Sequence, residues 1–218
     1  MAYARPGRLG PMAAALFLFT PRFLFVLEQG WTEPLVVFLL AAMVFAACRR
    51  PSVVPWLFGL FLAIKQYMVF VPFLGWLLLP RPLPSGRELG RWVVKAVGIA
   101  AAVTLPLALW NVREFWNDVV ALQVIQPFRV EAMSYLAWFA RDGSPHLPTS
   151  LAFVAALLAT GVALIRVPRT PAGFAASVAF VYCAFFAFNK QAFCNYYYFV
   201  VGALCCAIAA SQPDRAVS

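Results

Sequence analysis

Residues 53–79 read VVPWLFGLFLAIKQYMVFVPFLGWLLL, an apolar stretch of 27 residues whose single charge, Lys65, stands at its middle. Basic residues flank it on both sides, Arg49 and Arg50 before it and Arg81 and Arg87 after it. About 20 apolar residues cross a bilayer as a helix, and clusters of Lys and Arg stay on the cytoplasmic side. A single crossing carries one of these clusters to the wrong side. The stretch is therefore predicted to be two half-helices, 53–64 and 67–79, that enter from the cytoplasm and return to it, with Lys65-Gln66-Tyr67 at the deep turn. A non-helical turn at that depth needs protein or a wet cavity around it, and a buried Lys there is a functional candidate. The alternative is one tilted span whose Lys pairs with a neighbouring carboxylate.

The rest of the chain agrees with a membrane environment. Of 218 residues, 64% are apolar and 11% charged, whereas a soluble domain carries about 25% charge. At about 20 residues per crossing this is material for roughly seven spans. Apolar runs fall at 12–28, 34–48, 53–79, 90–110, 148–165, 172–188 and 195–210. They lack the ten-residue alternation of barrel strands and read as helices. The first run has no small-residue cleavage site after its apolar core and is treated as structure rather than a signal peptide. The predicted fold is all-α: a polytopic transmembrane helix bundle with a re-entrant half-helix pair and an interfacial helix, in one membrane domain, 1–218.

The net charge of +9 comes from short basic clusters between apolar runs, which is the positive-inside pattern and not a nucleic-acid patch. These clusters are Arg5 and Arg8; Arg49 and Arg50; Arg81, Arg87, Arg91 and Lys95; Arg166 and Arg169; and Arg215. With all of them in the cytoplasm, Glu28, Glu33, Glu114, Asp118, Glu131 and Asp142 fall on the outer side, and only Glu88 and Asp214 lie inside. The five cysteines mostly sit in apolar runs and read as small apolar residues, and the single histidine, His146, supports neither a His metal site nor a catalytic triad.

Three outer constellations hold the chemistry. In Glu28-Gln29-Gly30-Trp31-Thr32-Glu33-Pro34, two carboxylates share a tight turn; Glu33 suits the start of the next helix, while no capping role accounts for Glu28. Such carboxylates act as bases, bind a metal or hold a sugar hydroxyl, so a divalent metal stays open although no metal motif is present. In the joint 110–148, residues 114–125 carry the pattern of a helix lying in the interface, and Gln126-Pro127-Phe128-Arg129 breaks it. Arg129 is placed either to grip a lipid phosphate or to snorkel to headgroups. In 189–198, Lys190 and Gln191 are assigned function, and Tyr196, Tyr197 and Tyr198 are assigned to an aromatic belt. Arg22, inside its run, needs a partner.

LEQGWTEP (27–34), AIKQY (63–67), QPFR (126–129) and FNKQAFCNYYY (188–198), in order over 12–210, resemble the later part of bacterial multi-spanning C-type glycosyltransferases. That group includes the polyprenol-phosphate-mannose-dependent mannosyltransferases. The resemblance implies a polyprenyl-phosphate sugar donor and inverting transfer of a hexose, mannose-like, on the extracytoplasmic face of the plasma membrane. It also implies that an acidic residue in a first outer loop takes the acceptor's proton. No such loop precedes Glu28 in this sequence, so the chain is expected to be a truncated form, or one that a second polypeptide completes with the missing N-terminal helices. The catalytic base is accordingly unassigned, with Glu28 and Glu33 as weak candidates. The donor-side candidates are Arg129, Lys190, Gln191, Gln29, Arg22 and Lys65. The competing readings are a non-catalytic membrane subunit or fragment, and a lipid or solute transporter. A transporter calls for broken helices in matched halves, and only 53–79 is broken.

Overall fold

The structure is a computed structural model that describes residues 1–80, 82–141 and 147–211. Arg81, Asp142, His146, Asp214 and Arg215 lie outside the described residues. Those described form helices and turns without a strand.

The run expected at 12–28 is two helices, α1 (Leu9–Leu18) and α2 (Phe23–Glu28). Pro21 has no N–H to donate, and its ring does not fit a helix interior. The turn is completed by Arg22 in the left-handed region at φ 65°, a conformation uncommon outside glycine. α3 (Glu33–Arg49) follows, with Pro34 in its first turn, where a missing N–H costs nothing.

The deciding stretch forms α4 (Pro51–Ala63) and α5 (Gln66–Leu78). Between them Lys65 is extended, at φ −150° and ψ 141°. The two arms lie side by side, because Gly75 faces the Phe58 ring so closely that a Cβ there would stand 2.7 Å from Cζ. The far ends of both arms meet the basic end of the bundle. Arg169 donates to the carbonyls of Leu79 and Pro80 at 3.1 and 2.9 Å and stacks 4.5 Å from the Trp76 ring. Lys95 lies 5.8 Å from the Trp56 ring. The segment is thus folded back on itself, yet Lys65 also finds the carboxylate partner that the single-span alternative called for.

α6 (Gly86–Trp110) is, among the described residues, the one helix long and apolar enough to cross a membrane. It packs through its only buried residue, Ala96, against Gly59 of α4. Its start is a capping box: the Ser85 hydroxyl and N–H donate to Glu88 Oε2 at 2.8 and 2.9 Å, and the Glu88 N–H donates back to Ser85 Oγ at 3.4 Å. The Ser85 hydroxyl, followed by its N–H, holds the Glu88 carboxyl below the usual range. A lowered folded-state pKa means that this stabilisation is complete above the unfolded pKa and is lost as pH falls through the folded one. Ser85→Ala is expected to return the Glu88 titration toward an ordinary glutamate, as read by NMR of its side-chain carboxyl. An unmoved titration would contradict the box.

Beyond α6 the chain continues through α7 (Val112–Trp116), a π turn (Asn117–Ala121) and α8 (Leu122–Ile125). This is one amphipathic strap, in the place of the expected interfacial helix. After α9 (Tyr135–Ala140) come α10 (Ser150–Arg166), α11 (Pro171–Ala187) and α12 (Cys194–Ala210). α11 is apolar all round and mostly buried, so it forms the axis on which α3, α5, α10 and α12 pack. Small residues allow the close approaches: Ala152, Ala156, Ala159 and Ala163 of α10 are buried, and Gly202 of α12 admits Val37 and Phe17.

Candidate functional site

The end of the bundle away from Arg49, Arg91 and Arg169 carries a cleft of about 550 Å³, within the range of ligand sites. Its walls come from the hairpin turn (Gln66, Tyr67, Val69), the strap (Val119, Val120, Gln123, Val124, Gln126), α10 (Thr149, Ala152, Phe153) and the region from α11 to α12 (Phe185, Phe186, Asn189, Lys190, Gln191, Tyr196). The lining is amphipathic. Five amides and three hydroxyls are joined by one charge, Lys190, and no Asp or Glu is among the described lining residues.

Behind Tyr67 lies an ion pair. Lys65 Nζ is 2.9 Å from Glu33 Oε1, with the Lys65 side chain 22% exposed and that of Glu33 1%. Glu33 opens α3 without capping it through its side chain, so the plain capping expected of Glu33 gives way to pairing across the bundle. The physical reason is burial: a carboxylate this far from water needs a countercharge, and the unwound hairpin turn brings one within reach. The Glu33 charge also acts on the phenols of Tyr67 and Tyr196. The Tyr67 hydroxyl is buried beside the Glu33 carboxylate, beyond ordinary hydrogen-bond length, while the backbone carbonyl of Tyr67 accepts from the Tyr182 hydroxyl at 2.9 Å.

Lys190 and Gln191 stitch the 189–198 turn to the strap. Lys190 Nζ donates to the carbonyls of Val124 and Gln126 at 2.9 and 2.8 Å, and Gln191 Nε2 donates to that of Pro127 at 3.1 Å. The ammonium therefore neutralises the carbonyl end of α8 while bordering the cleft. Burial pushes its pKa down. Two of its three N–H groups are engaged, which leaves one for a ligand.

The remaining predicted site residues stand outside this cleft. Arg129 is exposed and pairs with Glu131 at 3.2 Å. Its backbone N–H, not its guanidinium, meets the site loop, donating to the Lys190 carbonyl at 3.3 Å. Glu28 and Gln29 are exposed at the end of α2. Arg22 is exposed, and the partner expected for it is an aromatic face, its guanidinium lying 5.7 Å from the Phe25 ring. The aromatic belt assigned to the tyrosines is also corrected, because α12 turns them inward. Tyr196 lines the cleft, the Tyr197 hydroxyl donates to the Met133 carbonyl, and Tyr198 is buried against Phe17 and Phe23. Sequence reading passed over Tyr67, Gln66, Gln123 and Asn189 as site residues. A signal was present for Gln66 and Tyr67, which follow the central Lys of the 53–79 run, but nothing local singled out the other amides.

A second, open groove along α9, lined by Tyr135, Trp138 and Tyr197 among others, gathers none of the predicted site residues. Among the described residues no cluster of His, Cys, Asp or Glu is suited to a metal ion. Compared with protein-family models, with curated proteins and with solved structures, the chain matches none.

Proposed function

We propose that this chain is an integral protein of the bacterial plasma membrane, with its basic end in the cytoplasm and its cleft on the extracytoplasmic side. In this reading the cleft holds a polyprenyl-phosphate sugar for transfer of its hexose to an acceptor. The observation that carries the reading is convergence. Four motifs spread over 27–198 meet around one cleft: Glu33 on Lys65, Tyr67 on Tyr196 with ring centroids 5.9 Å apart, and Lys190 and Gln191 on the 126–129 turn.

The chemistry of the lining supports a lipid-linked sugar. Amides and phenols suit hydroxyl groups, an ammonium suits a phosphate, and Val69, Phe153 and Phe185 suit a polyprenyl chain. Phe153 is 51% exposed, so the apolar part of the cleft opens outward at α10. Membrane placement is supported by wide apolar faces, among them Leu157, Leu158 and Ile165 of α10 and Leu107 and Leu109 of α6, all more than half exposed. In that setting α4 and α5 are the re-entrant pair, the strap lies in the interface, and the longer helices cross. In the transfer, an acceptor oxygen attacks the anomeric carbon, the bond from that carbon to the phosphate oxygen breaks, and polyprenyl phosphate leaves. The acceptor's proton goes to a carboxylate from outside the described cleft lining, which holds no Asp or Glu; Glu33 is closed off by its ion pair with Lys65.

The test uses the full chain in lipid nanodiscs with a labelled polyprenyl-phosphate mannose. Saturable binding, competed by polyprenyl phosphate but not by the free alcohol, is expected. Absence of competition would remove the donor reading, and binding without transfer to any acceptor glycan would favour a non-catalytic subunit. In vesicles of native orientation and a cysteine-free background, Glu131→Cys should react with an impermeant maleimide, and Glu88→Cys only after permeabilisation.

A further inference from the structure

The open groove along α9 is built differently from the cleft. Its volume is about 600 Å³, and it is lined by the rings of Tyr135, Trp138 and Tyr197, while α11 contributes only the small side chains of Cys183 and Ala187. α11 is buried along most of its length, and its two exposed residues are Phe180 and Cys183. Phe180, Cys183 and Ala187 stand at i, i+3 and i+7, one face of a helix. The groove therefore opens onto the strip where the central helix faces outward.

One charge borders this groove, the exposed Arg141, and no Asp or Glu is among the described lining residues. The Arg141 Nε donates to the Val130 carbonyl at 3.3 Å, which holds the guanidinium at the loop end of the groove. That loop is tied to the 189–198 turn, with the Arg129 N–H on the Lys190 carbonyl at 3.3 Å and the Met133 N–H on that of Ala192 at 2.6 Å. Both Nη groups of Arg141 are without an acceptor among the described residues, whereas the Arg129 guanidinium is taken by Glu131. The Tyr197 hydroxyl is given to the Met133 carbonyl, and Ser134 Oγ accepts from the Ala137 N–H. Apart from Arg141 the lining thus presents mainly carbon, and it suits a hydrocarbon chain attached to an anion.

We infer that the groove binds one anionic phospholipid of the outer leaflet, its phosphate on the two Nη groups of Arg141 and an acyl chain against Trp138, Cys183 and Ala187. Charge complementarity selects this occupant. A guanidinium holds a phosphate through two parallel hydrogen bonds. A zwitterionic headgroup would bring an ammonium to a site whose described lining has no carboxylate, and a net negative headgroup brings none. Tyr and Trp side chains are at home at headgroup depth, with the ring against lipid and the polar edge toward water. The inference rests on the membrane placement proposed above and not on the donor reading of the cleft.

The full chain, purified in detergent and stripped of lipid, would be given phosphatidylglycerol, phosphatidylcholine or polyprenyl phosphate, and bound lipid would be counted by native mass spectrometry. Wild type is expected to hold one phosphatidylglycerol about tenfold more tightly than phosphatidylcholine, the scale of one charge-assisted hydrogen bond. Arg141→Gln should abolish that preference, and Arg113→Gln, which removes another exposed arginine, on the strap, should leave it intact. Cys183→Trp fills the groove, keeps the charge and alters only an exposed position, and it should displace phosphatidylglycerol. Equal loss in Arg141→Gln and Arg113→Gln, or full phosphatidylglycerol binding in Cys183→Trp, would reduce the effect to general headgroup attraction and overturn the site. Tighter, Arg141-dependent binding of polyprenyl phosphate would overturn the occupant and give the groove to a polyprenyl lipid. If phosphatidylglycerol binds as described and polyprenyl-phosphate mannose does not bind, the groove stands and the donor reading fails. If the mannose donor binds and phosphatidylglycerol is not preferred over phosphatidylcholine, the groove fails alone.

Discussion

Lys65→Met is expected to destabilise the folded protein by about 3–5 kcal/mol, the usual cost of removing one partner from a buried ion pair. The asymmetry of the pair sets the order of effects. Glu33 is 1% exposed and Lys65 22%, so loss of the lysine strands a carboxylate that has no route to water, whereas Glu33→Gln leaves an ammonium that can still reach solvent. Lys65→Met should therefore cost more than Glu33→Gln. The double variant Lys65→Met/Glu33→Leu should recover most of the loss, because two apolar groups replace a desolvated pair. Chemical unfolding in detergent micelles, run as a double-mutant cycle, measures all three. If Glu33→Gln proves the costlier single change, or if the double variant is no more stable than Lys65→Met, the pair does not hold the hairpin turn in this way.

Gly59→Leu is expected to detach α6 from α4. A Cβ at Gly59 would overlap the Ala96 carbonyl oxygen and lie 3.0 Å from Ile99 Cβ. Ordinary overpacking costs about 1–3 kcal/mol because side chains can shift. Here the obstacle is backbone on a facing helix, so the cost should reach or exceed the top of that range. Even Gly59→Ala should lower the unfolding midpoint. Gly98 of α6 supplies the contrast, since a Cβ there meets nothing within 4 Å, and Gly98→Ala should stabilise by about 0.4–1 kcal/mol. Equal effects at the two glycines would refute the close contact between α4 and α6.

Helix positions were the most legible feature of the sequence. The runs at 34–48, 172–188 and 195–210 correspond to Glu33–Arg49, Pro171–Ala187 and Cys194–Ala210 within a residue at each end. They are long, apolar and bounded by proline, polar turns or basic residues, so composition and chain breakers suffice. The run at 12–28 misled because its breaker, Pro21, lies among large apolar residues that hide the turn. The site was legible only in part. Lys65 and Lys190 stood out as charges in apolar surroundings, and both are where the chain converges. Arg22 and Arg129 drew the same argument, but their guanidinium groups are spent on an aromatic ring and on Glu131 at the exposed margin. A lone charge in an apolar sequence signals that a partner is needed and does not say which one.

The sequence by itself determined that this chain is helical and where most of its helices begin and end, and it favoured a break of 53–79 at its central lysine over a single span. Each of these follows from local properties, namely apolar length, charge placement and the backbone restrictions of proline. Only the tertiary structure decided that Lys65 meets Glu33 across 32 positions of sequence, that the tyrosines of α12 turn inward, and that five amides from separate segments share one cleft. Those facts depend on the rotation of each helix about its own axis and on which faces pack together. Several helices here are apolar on every side, so no periodicity in the sequence marks the face that turns inward.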